Sequence, residues 1–263
     1  MNKIDFPIEF LVGDTIEQTL KITIRTSDAA LPDDMERLSN LLNAFGNVVE
    51  GGGFPRAGIS PNNSTVKVTA ITPPDALSLA YVWKAVNLDW RFINVLRNAL
   101  LIFSQIHLPL QSLHIIDITE GTKPIQKMLM PLTGYFQEGW YPEISSLLRF
   151  KVIFEGRNID EDEKMRRLLI DFESPLASNI VDMVIDRIEP WADVVFGGFA
   201  SEASELMAGT CLIVDMDCNQ FDEYTLECVV YEFCGAETAW NPLINMLGSI
   251  DYNIAKISHI CIE

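Results

Sequence analysis

The sequence predicts an α+β fold built from two tandem ferredoxin-like units, each a mainly antiparallel sheet with helices on one face. Three observations carry this. First, one pattern is written twice: LKITIRT (Leu20 to Thr26) resembles RFKVIFEG (Arg149 to Gly156), and GNVVEGGGFP (Gly46 to Pro55) resembles ADVVFGGFA (Ala192 to Ala200). The stretch from Trp90 to Ile116 likewise resembles the stretch from Trp240 to Cys261. Second, segments of period two alternate with segments of helical period in the same order in both halves. Third, 263 residues at 48% hydrophobic content leave room for one large domain or two of ordinary size, with a real core.

The elements follow in order. Leu20, Ile22 and Ile24 alternate with Lys21, Thr23 and Arg25, the pattern of a strand with one wet face. Pro32-Asp33-Asp34 opens a helix whose apolar stripe is Leu38, Leu41, Leu42 and Phe45. VVEGGGFP reads as a short strand ending in a glycine-rich bend. Thr65 to Thr72 alternates again, Pro73-Pro74-Asp75 turns the chain, and Leu77 to Val86 returns as a strand. Asp89 is placed to start a helix running to about Phe103, and Leu113 to Ile118 closes the half.

The second half repeats the order. Leu147 to Glu155 reads as its first strand, and Glu161 to Trp191 as a helical region broken at Pro175. Val194 to Phe199 reads as the next strand. Cys211 to Cys218 and Tyr224 to Cys234 read as a hairpin around Asn219 to Asp222. A helix begins at Asn241-Pro242, and Ile254 to Ile262 is the last strand. Removing one return strand from each half leaves the βαββαβ order of a ferredoxin-like unit. The expected division is a first repeat over 1–118, a connecting segment over 119–143 rich in Pro, Gly and aromatic residues, and a second, acidic repeat over 144–263.

Charge separates the halves. The chain carries −18 overall. Residues 1–130 hold 13 acids and 11 bases, whereas residues 131–263 hold 24 acids and 8 bases. Between Arg187 and Lys256 there are 12 acids and no Lys or Arg. Such a balance disfavours direct contact with nucleic acid or an anionic membrane. No apolar run reaches the roughly 18 residues that span a bilayer. The N-terminal residues lack the pattern of a signal peptide, so the expected location is the cytoplasm.

Chemical signatures are sparse. Gly51-Gly52-Gly53 has neither the Lys-Ser/Thr of a phosphate loop nor the spacing of a dinucleotide turn. Asp215-Met216-Asp217-Cys218-Asn219 opens like a calcium loop, but Gln220 and Leu226 stand where that loop needs Gly and Glu. The five cysteines, Cys211, Cys218, Cys228, Cys234 and Cys261, form no CxxC and read as small buried hydrophobes. His114 and His259 fall at matching positions of the two closing strands, which points to a shared structural role. No serine or cysteine triad can be assembled from spacing. No cofactor, metal or catalytic residue is expected.

The acidic hairpin is the most pointed feature. Asp215, Asp217, Asp222, Glu223, Glu227, Glu232 and Glu237 lie within 23 residues, with Phe221, Tyr224, Tyr231, Trp191 and Trp240 among or beside them. Acids around aromatic anchors suit a tight protein interface. The expected function is that of a bacterial immunity or antitoxin-type protein, not an enzyme, which neutralises a basic toxin or nuclease through Asp215, Asp217, Phe221, Asp222, Glu223, Tyr224, Glu227, Glu232 and Glu237. Two alternatives stand beside it: a metal-dependent nucleotide enzyme using Asp215 and Asp217, and a non-catalytic structural or assembly protein.

Overall fold

The structure is a computed structural model. It describes residues 8–11, 15–27, 31–120, 142–155, 165–196, 215–231 and 237–263. The first half runs β1 (Ile8–Leu11), β2 (Glu17–Thr26), α1 (Pro32–Glu50), β3 (Thr65–Ile71), β4 (Ser78–Val86), α2 (Phe92–Ile106) and β5 (Leu110–Asp117). The second runs β6 (Lys151–Phe154), β7 (Arg166–Phe172), α3 (Ser178–Phe196), β8 (Asp215–Gln220), β9 (Thr225–Tyr231), α4 (Asn241–Asn253) and β10 (Ile257–Ile262). The chain is thus α+β, with two five-stranded sheets of orders β1-β5-β2-β4-β3 and β6-β10-β7-β9-β8. In each, the first strand joins its neighbour in parallel and the other pairings are antiparallel.

Three sequence expectations change. The additional strand of each half precedes the first helix instead of following it. RFKVIFEG accordingly matches β1 in topology, as the sheet-edge strand β6, and the counterpart of β2 is β7, in a stretch expected to be helical. Arg166 to Phe172 is strand because Leu168, Ile170 and Phe172 bury alternately, a period of two that the preceding charged run obscures. Val48 to Glu50 and Val194 to Phe196 are the last turns of α1 and α3, not strands. Their valines bury against the core as part of a helical stripe, so tertiary packing overrides the β preference of the local sequence. Pro175 lies ahead of α3, which runs through Pro190.

Each sheet buries one face. Leu20, Ile22 and Ile24 of β2, with Tyr81 and Trp83 of β4, face inward, while Lys21 and Arg25 are exposed. Leu168, Ile170, Leu226 and Cys228 do the same in the second sheet. The helices of the halves meet between the sheets: α1 lies along α3, and α3 along α4. The buried residues form one contiguous apolar cluster that crosses the two halves.

The seam is also polar. The buried amide of Asn245 accepts from Ser145 N at 2.9 Å and donates to Glu143 O at 3.1 Å and Gly53 O at 3.3 Å. Gly248 of α4 touches Leu148 and Pro61 so closely that a Cβ there would collide. The glycine-rich bend after α1 contains Gly52 at φ +88°, a conformation that costs an L side chain. Arg149 binds the buried carboxylate of Asp251 through Nε at 2.9 Å and Nη2 at 2.6 Å. The other oxygen of Asp251 accepts Ile257 N, so this pair fixes the turn into β10.

Candidate functional site

The β8–β9 hairpin is built by a small device. Asp222 Oδ1 accepts from the backbone of Tyr224 and of Thr225, each at 2.8 Å. These bonds to the charged form, first among them the one from Tyr224, hold the Asp222 carboxyl below its ordinary range. The turn leaves Phe221 69% and Tyr224 41% exposed at its tip, with Glu223 exposed between them. Asp217 and Asn219 lie on the outward face of β8, which is the edge strand of its sheet.

Of the residues expected to bind a partner, the hairpin therefore brings Asp217, Phe221, Glu223 and Tyr224 together at the surface. Asp222 is spent on the turn, although it is exposed. Glu227 is partly buried and pairs with Arg167 at 3.4 Å across the sheet. Glu232 and the side chains of Asp215 and Glu237 lie outside the described residues. Trp191 and Trp240 are not surface anchors. They stack in the core at 4.9 Å, and Trp191 Nε1 donates to Ala239 O.

The acidic surface extends beyond the hairpin residues named from the sequence. Asp182, Asp186, Glu189 and Asp193 recur at helical spacing on the exposed side of α3, with Met183 exposed beside them. Although Asp193 is exposed as a residue, partial desolvation of its carboxyl pushes that group above its usual range. α3 lies against β8. Leu176 N, just ahead of α3, donates to Glu223 O at 2.7 Å, so the start of the helix lies by the hairpin turn. Asp217, by contrast, is on the face of the sheet away from the helices. The signal was present in the spacing but lay within a region read as a broken helix. Arg187 is the one Lys or Arg in α3, β8 and β9.

Two cysteines depart from expectation; Cys261 is buried as expected, and Cys211 and Cys234 lie outside the described residues. Cys218 and Cys228 are bonded as a disulfide, with Cα atoms 4.1 Å apart. The β8–β9 pairs straddle residue 223 symmetrically, which sets these two residues opposite each other. Placing the turn at 219–222 shifts the register and hides the pairing. Cys261 is buried as a free thiol, with ligand-capable atoms of Glu155 and Glu263 within 4.8 Å. Burial, then the two glutamates, pushes that thiol upward, which opposes the thiolate a metal would need.

His114 and His259 do occupy matching positions, each beside the parallel edge strand of its sheet. His259 Nε2 lies 2.9 Å from Asp171 Oδ2, and its Nδ1 lies 3.2 Å from Ser258 Oγ, where a bulge interrupts β10. This resembles a serine triad in composition only. Ser258 donates its own hydroxyl proton to Asp171 O at 3.0 Å, so the imidazole does not draw on it.

A small cleft of about 70 Å³ opens at the seam of the halves, lined by Arg56, Asp89, Arg91, Glu143, Ser145 and Ser146. Arg91 spans it, reaching Asp89 Oδ2 at 3.3 Å and Glu143 Oε1 at 3.1 Å. Burial raises the Asp89 carboxyl in spite of that arginine.

No protein-family model matches the chain, and no curated protein matches it in sequence. Among solved structures it is similar at 12% identity to a mutant of the ferredoxin protease FusC in complex with Arabidopsis ferredoxin, over 90% of this chain and 33% of that one, with a TM-score of 0.19. It is similar at 11% identity to the periplasmic protease PqqL from Escherichia coli, over 91% and 34%, with a TM-score of 0.16. It is similar at 10% identity to chlorite dismutase from Candidatus Nitrospira defluvii in complex with imidazole, over 94% and 88%, with a TM-score of 0.20. The chain spans about a third of the length of the two proteases. Likenesses at these TM-scores carry no argument about function. No helix among the described residues is long and apolar enough to cross a membrane.

Proposed function

We propose that the chain is a duplicated ferredoxin-like protein of the immunity or antitoxin type, which binds a basic protein partner and performs no chemistry of its own. The shared strand order of the two sheets supports the duplication and the division into repeats over 1–118 and 144–263, joined by 119–143. Without β1 or β6, each half has the βαββαβ order of a ferredoxin-like unit. The cytoplasm is the proposed location.

One observation carries the binding reading. The helix carrying the exposed acids Asp182, Asp186, Glu189 and Asp193 begins beside a hairpin turn that presents Glu223 between the exposed rings of Phe221 and Tyr224. Asp217 adds an exposed carboxylate on the edge strand of the same hairpin. Single exposed ion pairs contribute only about 0.2–1 kcal/mol each. A one-signed field, however, raises association rates by about 10- to 1,000-fold. Affinity on such a face rests on the apolar groups, and the charges steer and orient the encounter.

The test asks first whether a basic toxin or nuclease domain is encoded beside this gene, and then separates the two roles in binding to it. A D182N/D186N/E189Q variant is expected to associate about tenfold more slowly at low salt, with a flatter salt dependence. Phe221→Ala is expected to accelerate dissociation instead. Unchanged rates in both variants would falsify the proposal.

A further inference from the structure

We infer that Cys218 and Cys228 form a reversible redox site that exchanges with a dithiol donor and thereby governs the order of β8. Its meaning for binding rests on the reading above. The two cysteines face each other across the strand pair that fastens β8 to its sheet, and in the sheet β8 pairs with β9 alone. The bond therefore sits where one covalent link decides how firmly an edge strand is held. The cysteines are only 10 residues apart in sequence, and the hairpin ladder with its Asp222 turn already closes that loop. The fold can thus persist without the bond, as a reversible site requires. In the cytoplasm, the location proposed above, disulfides are characteristically transient.

The two sulfurs are unequal. Cys228 is fully buried opposite Leu168 on the inward face, whereas Cys218 is half-buried. A donor thiolate reaches Cys218 Sγ. The S–S bond breaks, and its electron pair passes to Cys228 Sγ, which takes up a proton. The donor's second thiolate then attacks its own sulfur in the mixed disulfide, releasing Cys218 as a thiol and leaving the donor as a cyclic disulfide. Two electrons and two protons move from donor to protein. Apolar surroundings make Cys228 a poor leaving thiolate, and it stays positioned to reverse the first step. A monothiol should therefore fail where a dithiol succeeds.

The experiment uses the full chain without a partner. Peptide mapping after alkylation compares untreated protein with protein exposed to dithiothreitol or to glutathione at equal thiol concentration. Hydrogen exchange follows β8 and, as a control, β2. The expected result is a Cys218–Cys228 linkage in untreated protein, opened by dithiothreitol and resistant to glutathione. Opening should speed exchange in β8 about tenfold and leave β2 unchanged. A C218A/C228A variant should show the fast exchange under all conditions. Alkylation of both cysteines in untreated protein, equal opening by both reagents, or unaltered β8 exchange after opening overturns the inference. None of these outcomes depends on the partner, so they stand apart from the failure of the binding proposal.

Discussion

Asp222 shows how one residue can look like an interface and serve as a structural part. Its carboxylate accepts two backbone amides, so replacing it with Ala removes both acceptors. We expect Asp222→Ala to lower the midpoint of urea denaturation, with Asn retaining most of the stability. The pH dependence follows from the depressed carboxyl. Stability from Asp222 is present above the ordinary aspartate range and is lost as pH falls through the lower folded value. The hairpin amides should therefore lose protection in that acid window in the wild type, with no such step in Asp222→Asn. Gly52 makes a second prediction at this scale. At φ +88°, with Pro61 O only 2.8 Å from where a Cβ would stand, Gly52→Ala should cost about 1 kcal/mol or more, read from the same denaturation curves.

At the scale of elements, the legible parts were those with a clean period. The alternation in β2, β3 and β4 and the stripe of α1 are written in the sequence, and the structure places them within a few residues. The ends of α1 and α3 were not legible, because Val-Val before glycine reads locally as a strand. Only the buried cluster on the far side of the helix makes it helical. The candidate site was partly legible for the same kind of reason. Composition located the acids of the hairpin, but only register reveals that Glu227 lies diagonally across from Arg167 and that Cys218 faces Cys228. The α3 stripe required the helix boundary first. Asp182, Asp186 and Glu189 are exposed, so D182N/D186N/E189Q should unfold within about 0.5 kcal/mol per site of the wild type, a control for the binding measurement.

At the scale of the molecule, the halves share one apolar cluster and the contacts of Asn245. Removing that amide leaves Gly53 O unpaired in the interior, and Ser145 N and Glu143 O unpaired at its partly buried margin. Asn245→Ala should cost about 2–3 kcal/mol. Thermal unfolding followed by near- and far-ultraviolet circular dichroism should give coincident transitions, since neither sheet can shed its helices without exposing the other's. Two separated transitions would show that the seam is weaker than its contacts imply.

The two sheets also end differently. Lys67 on β3 and Asp217 on β8 occupy the same place in the strand order and register of their sheets, each exposed on the outward face of an edge strand. Unpaired edges invite neighbouring molecules to extend the sheet, and a charge on the edge discourages this. Two copies joining through like edges would gather lysines on one composite face or aspartates on the other. The charge that marks the acidic half for a partner thus also guards it against its own kind, and a Val at position 217 should betray itself first as aggregation on concentration.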